Sequence, residues 1–347
     1  MDTTSDLQDP AAENRAPGRR ILLVAAMARH ETQSLQRLAQ AGFELVEGYS
    51  LGPSPTPAAL GRALEGIWGT VAGSEPYTRE VLTAATDLRA IARCGVGYDA
   101  VDVAAATDRG IAVLITPNGN FDSVADFALT LMLACLRQLL QNDRRVREGG
   151  WRAARLSGDL SGATVGVVGL GRIGRAVARR LQGFNCRILG VDPFPDLAAC
   201  ARLGVELMSL DEMLPQVDVL TLHTPRLPDT LGLIGARQLA RMKPTAVLIN
   251  TSRGAIVDEM ALDHALRSGA LAAAALDVFE QEPLRPDHPL LTCPNLIVTG
   301  HVSSFTRLAA QNTIVEVVDN LLAVAAGEIP EGFVNPAALG AARARGA

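Results

Sequence analysis

The sequence has 347 residues, 48% of them hydrophobic and 20% charged, with a formal net charge of −5 at pH 7. That length suits about two domains with substantial cores, and the acidic balance lacks the basic footprint of a nucleic-acid binder. The polar N-terminus lacks the apolar core of a signal peptide, and no apolar stretch of about 18 residues stands out, so neither export nor a membrane span is expected.

Residues 1–19 read as a disordered tail. From there apolar runs alternate with helical patterns, the signature of parallel α/β architecture. The first predicted strands are ILLVAA (21–26), FELV (43–46), GTVAG (69–73), LRAIAR (88–93) and IAVLIT (111–116). A long helix follows over 123–148, where Leu129, Met132, Leu133, Leu136 and Leu140 recur every three or four residues. Asp122 or Ser123 would cap it. A second series comprises TVGVVG (164–169), RILGVD (187–192), DVLTLH (218–223), AVLINT (246–251), AAAALDV (272–278) and LIVTG (296–300). A closing helix, 307–326, ends at Gly327, has no strand of its own and is expected to cross back to the first domain. Residues 336–347 read as a loose tail. Five strands and then six, the second set opening at a glycine-rich turn, predict two doubly wound parallel sheets, the second a Rossmann domain.

Two residue types prune function classes. Cys94, Cys135, Cys186, Cys200 and Cys293 are odd in number and include no C-x-x-C pair. They predict free thiols in a reducing, cytoplasmic compartment and no metal framework. Lys243 is the only lysine, and RMKPTAV is not a Walker A loop, so phosphate-loop and Schiff-base chemistry drop out.

The most informative stretch is TVGVVGLGRIGRAVARRL. Gly169, Gly171 and Gly174 form G-x-G-x-x-G directly after a strand and at the opening of a helix. The first permits the tight turn, the second lets backbone approach a pyrophosphate, and the third lets helix and strand pack closely. The helix N-terminus offers unpaired N–H groups to phosphate. Asp192, at the end of the next strand, stands where an acid would bind ribose hydroxyls. A carboxylate there repels a 2′-phosphate, and Pro193 and Phe194 supply no arginine to offset it, so NAD is expected over NADP.

Catalysts must come from the carboxyl ends of the other strands. There the sequence places HTPRLPDT, NTSRGAIVDE, DVFEQEP and GHVSS. Arg253 has the planar fork that matches a carboxylate, with small neighbours leaving room for a substrate. His301 can protonate a carbonyl oxygen during hydride transfer or take the hydroxyl proton in reverse. Glu282 would orient the ring and favour its protonated form. Each has a bland alternative: His301 a structural histidine, Arg253 a surface pair with Asp258 or Glu259, and Glu282 one acid of a loop shared with Glu280.

These residues resemble the D-isomer-specific 2-hydroxyacid dehydrogenases, a family that includes phosphoglycerate, D-lactate, glycerate/hydroxypyruvate and formate dehydrogenases. The likeness spans about residues 20–335 and rests on RCGVGYDAVDVAAATDRGIAV, TPNGNFDSVAD, VGLGRIGRAVA, LHTPRLPDTLGLI, LINTSRGAIVDE, ALDVFEQEPL and GHVSS, in that order. It implies Arg253 as substrate anchor and Glu282, chosen over Glu280, with His301 as the acid–base pair. Gly95, Val96 and Gly97 would hold the other side of the substrate carboxylate. Arg172 and Ile173 would lie under the pyrophosphate, Thr224, Pro225 and Thr230 at the adenosine end, Thr251 and Ser304 nearby, and Asp277 on the nicotinamide carboxamide. It further implies an NAD-binding domain over 118–301, set within a flavodoxin-like substrate domain split between 20–117 and 302–335. A closing cleft and a homodimer built partly by the long helix would accompany it.

Departures from the family pattern are Ala100 in GYDAVD, the order Asn118-Gly119, GHV for the usual PHI, and Ser303 for a usual glycine. Glu282, where formate dehydrogenases carry glutamine, argues against formate. No regulatory domain is expected beyond residue 340. Within the family the expected substrates are 3-phosphoglycerate or hydroxypyruvate/glyoxylate. The same scaffold also serves NAD-sensing corepressors and phosphite oxidation, which stand as alternatives.

Overall fold

The computed structural model describes residues 19–338 apart from 53, 153–155 and 294. The two expected tails fall almost wholly outside the described residues. The chain divides into two compact units: the residues up to Asn120 together with those from Arg307 on, and Phe121–Thr306.

The first unit is built on β1 (Arg20–Leu23), β2 (Glu44–Glu47), β3 (Gly69–Ala72), β4 (Ala90–Arg93) and β5 (Ala112–Leu114), all parallel in the order β2-β1-β3-β4-β5. That is the flavodoxin-like order. Both faces are covered: Leu22, Ile91 and Val113 point into one core, and Ile21, Leu23, Ala92 and Leu114 into the other. The helix Arg307–Ala325 closes the second core with Ile314, Val317, Val318 and Leu321. By length and composition alone this helix would pass for a membrane span. Its buried stripe and its Asn320 bond to the Ile115 carbonyl at 3.0 Å mark it as a core helix of this unit.

The second unit holds β6 (Thr164–Val168), β7 (Arg187–Val191), β8 (Val205–Leu207), β9 (Val219–Leu222), β10 (Val247–Asn250), β11 (Ala273–Leu276) and β12 (Leu296–Val298). They form a parallel sheet in the order β12-β11-β10-β9-β6-β7-β8. This is the Rossmann order with one strand added, and the direction of winding reverses between β6 and β9. Seven strands stand where six were expected. The unforeseen one, β8, is an edge strand of three residues in which only Val205 is buried, so it has no apolar run to read.

The predicted long helix is two helices, Phe121–Leu136 and Leu139–Arg147, bent by 58°. Gln138 between them is left-handed, with φ 50°. The first is buried against β10, β11 and the helix Arg172–Leu181, with Arg180 reaching Asp126 at 2.5 Å. The second has no buried residue. Leu140 therefore continued the sequence periodicity without continuing the packing that holds a helix straight.

Candidate functional site

At the β6 turn Gly169 has φ +89°, a left-handed conformation, and a Cβ there would lie 2.6 Å from the His223 carbonyl. A Cβ at Gly174 would strike the Gly169 carbonyl, so the helix Arg172–Leu181 seats on the turn only with glycine present. Gly171 faces open space at the N-cap, beside Arg172 and Ile173 in the first helical turn. Asp192 closes the pocket from β7: one carboxylate oxygen accepts the Leu170 N–H at 2.7 Å and the other the Phe194 N–H at 2.8 Å. Acceptor capacity remains on both oxygens for hydroxyl donors.

After β9, the Thr230 hydroxyl donates to the Pro225 carbonyl at 2.7 Å and accepts the Leu227 N–H at 2.8 Å. Thr230 thus staples the loop that carries Thr224 and Pro225. His223, which the sequence did not single out, is tied through Nε2 to Thr221 Oγ1 at 2.9 Å. Burial pushes its pKa down to about 3, so it is neutral near pH 7. Its Nδ1 and the hydroxyl of Thr251 are buried without a partner among the described residues. Two such atoms, ringed round a glycine cradle at the switch point, fit a dinucleotide that brings its own polar groups.

Asn250, at the end of β10, organises the next turn. Its Oδ1 accepts from the N–H and the hydroxyl of Ser252, both at 3.0 Å, and its Nδ2 donates to the Arg253 carbonyl at 2.9 Å. Arg253 Nη1 donates to the Ser252 carbonyl at 2.7 Å. The proposed surface partners are engaged elsewhere. Asp258 caps the helix Glu259–Ser268, and Glu259 accepts the Glu280 N–H. Gly254 abuts the backbone of Phe279 and Glu280 so closely that no side chain would fit.

His301 lies on the turn after β12 with φ 56°, rare for a residue with a side chain. Asp277, wholly buried, imposes that conformation. Its carbonyl accepts the His301 N–H at 2.7 Å, and its carboxylate accepts the Thr299 hydroxyl (2.6 Å), the Val302 N–H (2.9 Å) and the Ser303 N–H (2.9 Å). Three donors therefore occupy the carboxylate expected to meet a nicotinamide carboxamide, leaving about one acceptor direction. Ser303 serves this turn through its main chain, and Ser304 beside it is half-buried.

Glu282 Oε2 lies 2.7 Å from His301 Nδ1, while Oε1 accepts the Phe279 N–H at 3.0 Å. A carboxylate only accepts, so Nδ1–H donates and Nε2 is left to face a substrate. Burial raises the Glu282 pKa. The hydrogen bond and charge of His301, the Phe279 N–H and the charge of Arg253 outweigh it, and the net value lies below the ordinary one. Glu280 turns away. Arg253, Glu282 and His301 are thereby brought together, and the last two can hold and deliver a proton. Among the described residues no three His, Cys, Asp or Glu side chains gather as a metal site.

In the first unit Gly95 has φ +134° and donates to Thr116 Oγ1 at 2.7 Å; Arg93 Nε donates to the Gly97 carbonyl at 2.9 Å. Gly95, Val96 and Gly97 thus form a braced turn at the carboxyl end of β4. Glu75, buried after β3 and accepting the Gly73 N–H at 2.8 Å, interacts electrostatically with Arg93. Neither Glu75 nor Arg93 was anticipated. The changed order Asn118-Gly119 has a packing reason: Asn118 bonds Glu316 at 3.1 Å, and a Cβ at Gly119 would collide with Thr313.

Residues 129–303 match the model of the D-isomer specific 2-hydroxyacid dehydrogenase NAD binding domain, half of the chain. The chain is 45% identical over 267 residues to the glyoxylate reductase of Korarchaeum cryptofilum (strain OPF8), covering 76% of this chain and 80% of that protein. It belongs to the D-isomer specific 2-hydroxyacid dehydrogenase family. A D-3-phosphoglycerate dehydrogenase of Archaeoglobus fulgidus is 44% identical over 257 residues, 74% of this chain but only 49% of that protein. The chain spans about half the length of such relatives. A glyoxylate reductase structure from Paecilomyes thermophila superposes with a TM-score of 0.79 at 31% identity, covering 92% of this chain and 99% of that one. Membership in this dehydrogenase family supports a nicotinamide cofactor and favours oxidoreductase chemistry over the sensing and phosphite alternatives.

Proposed function

We propose that this dehydrogenase interconverts a small D-2-hydroxy acid and its 2-oxo acid with NAD, using Arg253 as carboxylate anchor and His301, oriented by Glu282, as proton donor and acceptor. The observation that carries the proposal is the 2.7 Å Glu282–His301 contact on a histidine turn fixed by Asp277. A bound nicotinamide would supply or take up the hydride at the substrate C2. The protein's share is to protonate the carbonyl oxygen from His301 Nε2, keep the imidazolium paired with Glu282, and hold the substrate carboxylate on the Arg253 fork. Asp192 favours NAD, because both its oxygens are anchored where a 2′-phosphate would meet them.

Glyoxylate or hydroxypyruvate is the better substrate reading. Near the carboxyl end of β3 stand Gly73, Ser74 and the buried acid Glu75. The arginine next along, Arg79, pairs with Asp102 at 3.6 Å and Asp108 at 3.4 Å. The glyoxylate reductase that is 45% identical to this chain, and 80% of which the match covers, supports the unphosphorylated reading. The working unit we infer is a homodimer, for which the bare helix Leu139–Arg147 and Trp151, 82% exposed, supply an apolar surface. The test of activity is NADH oxidation against glyoxylate, hydroxypyruvate, pyruvate, bulkier 2-oxo acids and phosphohydroxypyruvate, with NADPH in parallel. Turnover of the first two with NADH is expected. A preference for phosphohydroxypyruvate or NADPH would overturn the substrate or coenzyme reading, and silence across the panel the activity itself.

A further inference from the structure

Against the loop that carries Glu282 lies a second histidine–glutamate pair, Glu259 with His288. Glu259 opens the helix Glu259–Ser268, yet its side chain is only 8% exposed. An acid in a first helical turn ordinarily sits in water and gains from the helix dipole there. Here it turns inward. Oε1 accepts the Glu280 N–H at 2.7 Å, and Oε2 lies 3.2 Å from Nε2 of His288, itself largely buried. A cleft of about 260 Å³ lined by Glu259, Glu280, Gln281, Leu284, Arg285 and His288 opens at this pair, and it includes neither Arg253 nor His301.

A buried carboxylate costs desolvation and repays it only when its lone pairs are used. What Glu259 secures is the loop Phe279–Glu282. Two residues beyond the held N–H stands Glu282, and one residue before it the Phe279 N–H turns back onto Glu282 Oε1 at 3.0 Å. On its other side the loop is pressed by Gly254, next to Arg253. Glu282 therefore reaches His301 from a loop fixed at one end by Glu259 and across its middle by its own hydrogen bond.

We infer that Glu259, oriented by His288, is a positioning residue for the proton-transferring pair: it fixes the Glu280 main chain so that Glu282 meets His301 Nδ1. The inference rests on the acid–base reading of the preceding subsection. Removing the acceptor lets the loop shift, and a displacement of about 1 Å at reacting groups can cost on the order of 100-fold in rate.

The experiment uses the full chain, NADH and whichever 2-oxo acid the wild type reduces. Glu259→Ala is expected to lower kcat by roughly 10- to 100-fold. NADH affinity should stay unchanged, and the isotope effect with 4-deuterated NADH should grow as the chemical step becomes limiting. Glu259→Gln, whose amide oxygen still accepts the Glu280 N–H, should recover most of the rate. Should Glu259→Ala fail to fold, Glu259→Met fills the space without offering an acceptor and takes its place. Wild-type kcat and isotope effect in the Ala or Met variant would overturn the inference, as would equal losses in the Gln variant. A wild type silent on every 2-oxo acid would instead sink the acid–base reading, and this inference with it.

Discussion

At the scale of single residues the site is defined by what its groups cannot do alone. His301 is exposed, in a backbone conformation that β-carbon sterics disfavour, and it is held there by four donors converging on Asp277. Strain kept in place by buried hydrogen bonds marks a position where geometry outweighs stability. His301→Ala should lower kcat/KM by about 100-fold or more, the scale of a lost general acid. Arg253→Lys should raise KM for the 2-oxo acid by about tenfold or more, because a point charge cannot reproduce the fork. Steady-state kinetics on each variant would check both. Glu282 titrates below the ordinary carboxylate range, so its stabilising contribution is present above the unfolded value of about 4.3 and is lost as pH falls through the lower folded value. Thermal melts should show wild type more stable than Glu282→Gln at neutral pH, with the gap closing only in acid below that value.

At the scale of elements, the site depends on two close approaches of backbone. Gly174 lets the helix Arg172–Leu181 touch the β6 turn, and Gly254 lets the Arg253 turn touch the loop at Phe279 and Glu280. An added methyl at either place meets main-chain atoms that cannot swing aside, an overpacking that costs about 1–3 kcal/mol. Gly174→Ala should therefore weaken NADH binding and lower the melting temperature together. Gly254→Ala should spare NADH binding and depress kcat, because it moves the Glu282 loop rather than the cradle; fluorescence titration beside kinetics separates the two. Elements of this kind differ in how plainly the sequence shows them. Central strands such as VGVVG and VLIN are unbroken apolar runs between glycine, proline or asparagine, and they emerge within a residue or two of where they are read. The edge strand Val205–Leu207 has one buried residue and no such mark. Gln138 breaks the long helix without glycine or proline, since the bend follows from where the core ends. Within the site, Arg253, Glu282 and His301 stand at strand ends, where reactive side chains draw notice. Glu259 clamps backbone 21 residues along the chain, at Glu280, and no spacing within one chain segment reports that. Asn250 and Glu75 clamp backbone two or three residues away, but a polar side chain that holds a turn reads in sequence like one left in water. An Asn followed by Ser at a strand end does hint at a side-chain-capped turn, which is the role Asn250 fills.

At the scale of the whole molecule, the unanswered surface is the helix Leu139–Arg147 and the chain beyond it. Leu139, Leu140, Val146, Trp151 and Leu156 are all exposed, and no residue of that helix is buried. A surface of scattered single leucines would need no explanation, but a cluster around a bare helix is what interaction sites look like. The same helix carries Arg144, Arg145 and Arg147 in its last turn, only the last of them paired to Asp143 within it. A stable, specific pairing requires about 1,200–2,000 Å² of total buried surface, beyond what one nine-residue helix offers alone, so the contact should be two-fold, each copy presenting this helix and the chain after it to the other. Leu139→Glu with Leu140→Glu places two carboxylates in the middle of that contact, where they cannot be solvated. Sedimentation velocity should then show the wild type as a dimer and the double variant as a monomer, with NADH binding retained because neither leucine belongs to the β6 turn or to the helix Arg172–Leu181 that form the cradle. A wild type that sediments as a monomer at micromolar concentration would remove the dimer from the account, and the exposed leucines would then need another partner.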